Sequence, residues 1–286
     1  MAETGPGGYL TPSTVDEAVE LLAREPHGIV AGGTDFFPAL GSRQPLGPVM
    51  DISRLGEARG ISKEDGWIRI GALTTWSELA RAPLAPGFDG LRQAALTIGG
   101  IQIQNVGSIG GNLCNASPAA DGVPPLLTLE AQVVLRSVGG ERSETLEDFI
   151  KGNRKTTRAA DELMTAILIP AHKANPEARS RFSKLGSRAY MVISIASVAV
   201  WLLPVDGRVS QARVAVGACS EVPKRLHELE STLTGQVLDA DLGNLVTDAH
   251  LAGLHPIDDI RASADYRGKA ARTLLSRVLS SIGEVG

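Results

Sequence analysis

The chain has 286 residues, of which 43% are hydrophobic and 21% charged, and its formal net charge is −4. This composition can bury a substantial core and excludes an intrinsically disordered protein, and the length predicts two or three domains. Because no run of basic residues offsets the negative charge, nucleic acid and anionic membranes are disfavoured as partners.

The sequence contains few residues that could bind a metal. Its two cysteines, Cys114 and Cys219, lie far apart, and its five histidines show no ligand spacing, so we expect no zinc or iron–sulfur cluster in this chain. No apolar stretch is long enough to cross a bilayer, and the first residues lack the pattern of a secretory signal. We therefore expect a cytoplasmic protein without an integral membrane segment.

The first region, to about residue 55, predicts one helix and two short strands. Ser13 and Thr14 are N-cap candidates for a helix with apolar residues at helical spacing, and Pro26 ends it. The strands are predicted at 28–31, which leads into a Gly-Gly-Thr-Asp turn at 32–35, and at 49–52.

The second region, from about 56 to 172, begins with a predicted hairpin over 61–70. Thr75 and Glu78 form a capping box that opens a short helix, and a further helix is predicted at 91–97. After the glycine-rich run discussed below, strands are predicted at 132–137 and 162–169.

The third region predicts two strands followed by helices. The strands fall at 194–203 and 211–218, and the helices at 224–233, 241–251 and 263–281. Because strands and helices mix without a regular strand–helix–strand order, the pattern predicts an α+β fold and not a doubly wound parallel sheet.

Residues 106–122 read VGSIGGNLCNASPAADG, and no charged residue occurs between Arg92 and Asp121. Buried amides and hydroxyls need hydrogen-bond partners, which a polar ligand would supply. Glycines let the backbone approach such a ligand and direct N–H groups at it. The turn at 32–35 has the same character. Two such bends would form a slot for a pyrophosphate, lined by backbone donors and without a basic residue.

The residues alone leave plainer interpretations open. The lysine of a Walker A loop and the glycine spacing of a Rossmann fingerprint are both missing, and a glycine-rich loop also serves as an ordinary turn. By pattern alone, Cys114 favours a small buried hydrophobe over a redox group, and Lys184 favours a surface lysine over a ligand group. Asp121 fits a cap of the following helix as well as a ligand group, and Gln102 and Gln104 also fit one face of a strand. Pattern alone therefore predicts a protein that binds something polar and phosphorylated.

Two motifs in the sequence are AGGTDFFP at 31–38 and TIGGIQIQNVGSIGGNLCNASPAADGVPPLL at 97–127. Together they resemble the flavin-binding (medium) subunit of molybdenum hydroxylases, the xanthine dehydrogenase and carbon monoxide dehydrogenase family. The resemblance extends over essentially the whole chain, through PSTVDEAVELL, RIGALTTWSEL, KLGSRAYMVISIASVAV and PIDDIRASADYR. It implies a PCMH-type FAD-binding domain, as in vanillyl-alcohol oxidase and the MurB reductase, over 1–172, with two α+β subdomains at about 1–55 and 56–172. It also implies a C-terminal α+β domain with an antiparallel sheet and helices over 178–286.

The resemblance implies FAD as the cofactor and assigns residues to it by motif position. Those that would wrap the pyrophosphate and ribityl chain are Ile29, Val30, Ala31, Gly32, Gly33, Thr34 and Asp35. Those that would lie near the flavin are Ile98 and Gly99. Those that would hold the phosphates, ribityl chain and adenosine are Ser108, Gly110, Gly111, Asn112, Asn115 and Asp121. Met164 would pack against one end of the cofactor, Lys184 would lie near it, and Tyr190 would be a lid. No catalytic acid or base is implied.

The function implied is that of an electron-transfer flavoprotein subunit of an oxidoreductase. Molybdopterin would lie on a large partner subunit and [2Fe–2S] clusters on a small one, with the three chains assembled as a dimer of heterotrimers. Electrons would leave the clusters through FAD to an external acceptor. Two different functions stay open: a self-sufficient FAD-dependent oxidoreductase of the same fold, and a non-catalytic binding or assembly subunit, which the glycine motifs disfavour. Purines, other N-heteroaromatics, aldehydes and carbon monoxide all remain open as substrates of the complex.

Overall fold

The structure is a computed structural model that describes residues 3–5, 8–43 and 47–284. Strands and helices follow one another without a regular strand–helix–strand order, and three of the four sheets in the described residues are fully antiparallel, which confirms the α+β class. Among the helices of these residues, none has the length and apolar character needed to cross a bilayer.

The first part is a small sheet with helices. Its elements are β1 (Glu3–Gly5), β2 (Tyr9–Thr11), α1 (Val15–Arg24), β3 (Gly28–Val30), α2 (Phe36–Leu40) and β4 (Val49–Asp51). The strand order is β1–β2–β4–β3, and β4 runs parallel to both of its neighbours. The Thr14 hydroxyl accepts the N–H of Glu17 and caps α1, which confirms the predicted helix start.

The middle part is an antiparallel sheet of order β5–β6–β11–β7–β8, with a separate β9–β10 ribbon. The strands are β5 (Ile61–Glu64), β6 (Trp67–Gly71), β7 (Gln132–Ser137), β8 (Gly140–Thr145), β9 (Ile150–Gly152), β10 (Lys155–Thr156) and β11 (Leu163–Pro170). The predicted hairpin and the two predicted strands are confirmed as β5–β6, β7 and β11. The sequence did not predict β8, because this edge strand is polar along nearly its whole length.

The helices of the middle part are α3 (Trp76–Arg81), α4 (Asp89–Thr97), α5 (Ile101–Gln104), α6 (Ile109–Asn115), α7 (Val123–Thr128) and α8 (Leu146–Phe149). The capping box of α3 is present as predicted. Two interpretations were wrong: the glycine-rich run forms α6 instead of a bend, and the alternating glutamines lie on α5 instead of a strand. In α6 the hydroxyl of Ser108 caps the helix by accepting the N–H of Gly111.

The last part is a sheet of order β12–β13–β14–β15 covered by a long helix. Its elements are β12 (Arg179–Leu185), β13 (Ala196–Val205), β14 (Arg208–Gly217), β15 (Lys224–Arg225), α9 (His227–Leu233) and α10 (Ala264–Gly283). The predicted helix at 224–233 begins only after β15, which adds to the sheet edge. The one predicted at 241–251 is two 3₁₀ helices, Ala240–Leu245 and Asp248–Leu251.

The hydrophobic cores overlap between these parts. The largest cluster holds buried residues of the middle sheet and its helices together with Trp201 and Ala215 from the last sheet. The cluster around α1 and β4 likewise takes in Leu73 and Leu163 from the middle part. Burial of apolar surface therefore joins all three parts, and the predicted boundaries near residue 55 and between 172 and 178 stay predictions.

A cluster of charges ties the middle part to the last. Glu130 forms an ion pair with Lys173, with 2.7 Å between Oε2 and Nζ, and accepts a hydrogen bond from Arg213 Nε at 2.5 Å. Burial opposes ionisation of Glu130, but these two cations lower its pKa to about 2. Lys173 is fully buried, with Nζ 4.0 Å from the ring centre of Trp201, and burial lowers its pKa to about 8.

We expect Glu130→Gln to lower the free energy of unfolding at pH 7 by about 3 kcal/mol, because it leaves buried cations without a counter-charge. The pKa of Glu130 is depressed on folding, so its contribution is present above about pH 4.5 and lost as the pH falls toward 2. Urea unfolding at pH 7, 4.5 and 3 should therefore show a difference from wild type that shrinks with acid. Glu141→Gln, on the exposed strand β8, is the control. A difference that does not vary with pH would contradict this account.

Candidate functional site

A cavity of about 870 Å³ lies where the three parts of the chain meet. Its volume is within the range of roughly 300–1,000 Å³ that is common for ligand sites. All but one of the residues assigned to FAD by the sequence line it, namely Ile29, Ala31, Gly32, Gly33, Thr34, Asp35, Ile98, Gly99, Ser108, Gly110, Gly111, Asn112, Asn115, Asp121, Met164 and Lys184. The structure therefore brings the two glycine motifs together, and their contacts with FAD stay a prediction.

Val30 and Tyr190 do not line the cavity. Side chains alternate along a strand, so Ile29 and Ala31 face the cavity while Val30 is buried away from it. Tyr190 is 78% exposed, although Val192 and Ile193 in the same loop do line the wall. The side chain of Val30 therefore lies outside the cavity wall, and both the assignment of Val30 to FAD and the lid role of Tyr190 stay predictions.

The turn after β3 presents backbone donors. Within the described residues, the N–H groups of Gly32, Gly33, Thr34 and Asp35 have no hydrogen-bond acceptor. A side chain at Gly32 is excluded, because a Cβ there would lie 1.9 Å from the carbonyl oxygen of Val106. Gly33 has φ +68°, in the left-handed region. Consecutive unpaired amides in a turn form a binding site for an anion such as a phosphate.

The second glycine motif does not present amides in this way. The N–H of Ile109 donates to Thr74 O at 3.0 Å, and that of Gly110 to Ala72 O at 2.8 Å. The N–H of Gly111 donates to the Ser108 hydroxyl at 3.2 Å. These three donors are therefore bonded within the chain, and the prediction that amides of both bends bind a pyrophosphate stays a prediction.

The glycines of α6 have two different roles. A Cβ at Gly110 would lie 2.7 Å from both the Cβ and the carbonyl oxygen of Ala72, so this glycine permits close packing of the helix on the chain. A Cβ at Gly111 would meet only the Ser108 hydroxyl, at 3.0 Å. Gly111 therefore contributes a surface without a side chain to the cavity.

Side chains on α6 complete a polar wall. The Oδ1 atom of Asn112 is buried and has no hydrogen-bond partner among the described residues. Buried polar atoms are seldom left unpaired in folded proteins, so this atom fits a ligand that carries hydroxyl or amide groups. Together with the amides of the 32–35 turn, the donor and acceptor set fits the pyrophosphate and ribityl chain of FAD.

Lys184 and Asp121 form a buried ion pair, with 2.7 Å between Nζ and Oδ2. Lys184 Nζ also donates to the carbonyls of Thr97 and Val192, each at 3.2 Å, and Asp121 Oδ1 accepts from Ser194 Oγ at 2.6 Å. Burial raises the pKa of Asp121, and the Lys184 ammonium opposes this rise.

Two of the plainer interpretations were therefore wrong. Lys184 is not a surface lysine, and Asp121 does not cap the following helix, whose N-cap is Gly122 without a side-chain hydrogen bond. With all three of its N–H groups bonded within the protein, Lys184 acts as a brace between the end of α4, Asp121 and the loop before β13.

Sequence reasoning missed two basic residues of the cavity wall, Arg154 and Arg158. The basic run KGNRKTTR at 151–158 was the available signal, but nothing in its spacing indicated that it returns to the glycine motifs. Cys114 also lines the cavity while packing against the main core, and burial raises its pKa to about 11. Its thiol is therefore neutral near pH 7.

Comparison with known families gives two matches along the chain. Residues 3–172 match the model described as FAD binding domain in molybdopterin dehydrogenase, and residues 181–282 match the CO dehydrogenase flavoprotein C-terminal domain. A putative xanthine dehydrogenase FAD-binding subunit of Escherichia coli (strain K12) is 31% identical over 95% of this chain and 94% of its own. The nicotinate dehydrogenase FAD-subunit of Eubacterium barkeri is 35% identical over 80% of each chain.

Solved structures show the same fold. A chain of carbon monoxide dehydrogenase from Hydrogenophaga pseudoflava superposes with a TM-score of 0.87 at 28% identity, covering 98% of both chains. A chain of Cu,Mo-CO dehydrogenase in a cyanide-inactivated form superposes with a TM-score of 0.89 at 29% identity, over 98% of this chain and 99% of that one.

Gly111→Val should weaken FAD binding by about tenfold or more, because the new side chain enters the cavity. Its free energy of unfolding without FAD should change little. Gly110→Ala should change FAD binding little but lower the free energy of unfolding by about 1–3 kcal/mol, because its side chain overpacks against Ala72. Flavin absorbance of the purified chains and urea unfolding of the FAD-free forms measure the two effects. Full FAD binding by Gly111→Val would contradict the assigned cavity.

Lys184→Met should lower the free energy of unfolding by about 3–5 kcal/mol, because it leaves the Asp121 carboxylate buried without its partner. The double variant Lys184→Met/Asp121→Asn should recover part of this loss. Urea unfolding of the two single variants and the double variant gives the interaction energy of the pair. Strictly additive losses would show that the brace does not act as a unit.

Proposed function

Because this chain belongs to the FAD-binding (medium) subunits of molybdenum hydroxylases, we propose that it carries electrons between [2Fe–2S] clusters on a small partner subunit and an external acceptor. The complex we propose is xanthine dehydrogenase-like, with molybdopterin on a large subunit and the three chains assembled as a dimer of heterotrimers in the cytoplasm. Bound FAD supplies a redox group that takes up electrons singly and releases them as a pair.

The observation that carries this proposal is the set of unpaired amides of Gly32, Gly33, Thr34 and Asp35 at the wall of the cavity. We propose that they bind the pyrophosphate of FAD, with Gly111 providing close approach and Asn112 bonding to the ribityl chain. The Lys184–Asp121 brace would hold the wall at Ile98, Gly99 and Ile193 in place around the flavin.

The titratable groups of the cavity favour an electron-transfer role over a self-sufficient oxidoreductase. In the part of the chain that the structure describes, the lining contains no His, Glu or Tyr. Asp121 is paired with Lys184, the Cys114 thiol is neutral, and the other lining carboxylate, Asp35, lies on the turn assigned to the pyrophosphate without a second acid or base beside it in the lining. Such a wall binds and orients a cofactor but offers no free acid–base pair for a substrate. Relatives named as a nicotine 6-hydroxylase medium subunit and a carbon monoxide dehydrogenase medium chain support the same choice.

We expect the wild-type chain, purified from its native source, to bring with it chains that contain molybdenum and iron. In that complex, Gly111→Val should leave the metal content unchanged, and substrate should still bleach the iron–sulfur clusters. Electron delivery to the external acceptor should fall in proportion to the flavin content. Gly268→Val is a matched control, because this glycine of α10 has open space around it. A wild-type chain that oxidises substrate alone, without molybdenum or iron, would favour the self-sufficient enzyme.

A further inference from the structure

Arg154 and Arg158 give one end of the cavity a positive charge that the chain does not neutralise. Both line the cavity, and among the described residues neither has a carboxylate within ion-pair distance. The nearby Glu162 carboxylate is instead bonded to Arg142 Nε at 2.5 Å and to the Ala159 N–H at 2.8 Å. Lys184, the other cation of the cavity, is already paired with Asp121.

Both guanidinium groups are held in position while keeping free donors. Arg158 donates through Nη1 alone, to the carbonyl oxygens of Ala159 at 2.9 Å and Glu162 at 2.7 Å. Arg154 donates through Nη1 to Asn115 Oδ1 at 2.9 Å. In both residues, Nε and Nη2 have no acceptor among the described residues, so two planar cations keep donors available for a ligand.

The backbone at Arg154 is strained in a way that holds this end of the cavity together. Its φ of +56° lies in the left-handed region, which is unfavourable for a residue with a side chain. Its N–H donates to the carbonyl of Ala116 at 2.9 Å, and Ala116 also has a positive φ, of 44°. The two strained residues thus join the end of α6 to the arginine segment.

We propose that Arg154 and Arg158 bind the ADP half of FAD and make the site select FAD over FMN. This inference rests on the proposed function, which places the flavin at the wall formed by Ile98, Lys184 and Ile193. Ile193 is 53% exposed there, so a partner could approach that wall. The arginine end is left for the other half of the cofactor. Guanidinium groups bond to phosphate oxygens and stack on aromatic rings such as adenine.

The test measures the dissociation constants of FAD, FMN and ADP for the full chain after its flavin has been removed. Arg154→Gln and Arg158→Gln should each weaken FAD and ADP binding by about tenfold, as expected for loss of a charge-assisted hydrogen bond. FMN binding should change by less than about twofold, since FMN lacks the adenosine half. Arg158→Lys should recover part of the FAD affinity by restoring the charge.

Lys155→Gln is the matched control, because Lys155 has the same charge and lies on the same segment but does not line the cavity. It should leave all three constants unchanged. Equal weakening of FAD and FMN in the arginine variants, or a shifted reduction potential with unchanged FAD affinity, would overturn the proposal by placing the arginines at the flavin half. If FAD does not bind in this cavity at all, the Gly111→Val variant would bind FAD normally. That result distinguishes a failure of the proposed function from a failure of the arginine assignment.

Discussion

The site depends on the close approach of two backbone segments. Gly32 lies against the carbonyl of Val106, at a distance that leaves no room for a Cβ. This contact brings the turn after β3 beside the start of α6, so that the two glycine motifs, far apart in the chain, face one cavity. Among the described residues, the amides of this turn have no acceptor. Glycine is required here for backbone packing first and for ligand approach second.

Two sets of paired charges join different parts of the chain. The Lys184–Asp121 pair connects α4, the segment before α7 and the loop before β13. The Glu130 cluster connects the middle sheet to the last one. Buried ion pairs add little net stability but are costly to break singly, so they favour one arrangement of the parts they connect. The cavity between these parts depends on that arrangement.

The cavity combines a neutral, side-chain-poor middle with a cationic end. The turn and α6 provide amides and a glycine surface, whereas Arg154 and Arg158 provide free guanidinium donors. In the described part of the lining there is no His, Glu or Tyr, and Asp121 is held by Lys184, so the wall has few groups that could act on a substrate. Its relatives in xanthine, nicotinate and carbon monoxide dehydrogenases differ in substrate but share this fold or its sequence pattern.

The sequence by itself determined the local elements whose residues act on near neighbours. The Thr14 cap, the Thr75–Glu78 box and the apolar periods of α1 and α10 were all readable, because capping and amphipathic periodicity are local. The family pattern likewise placed all assigned residues except Val30 at one cavity. Only the tertiary structure decided how the backbone donors are used. Thr74 and Ala72, distant in sequence, accept the N–H groups of Ile109 and Gly110 in the first turn of α6. The burial of Lys184 against Asp121, and the position of Arg154 and Arg158 at the cavity wall, could likewise be seen only in the tertiary structure. Ion pairing and cavity formation depend on which distant segments meet.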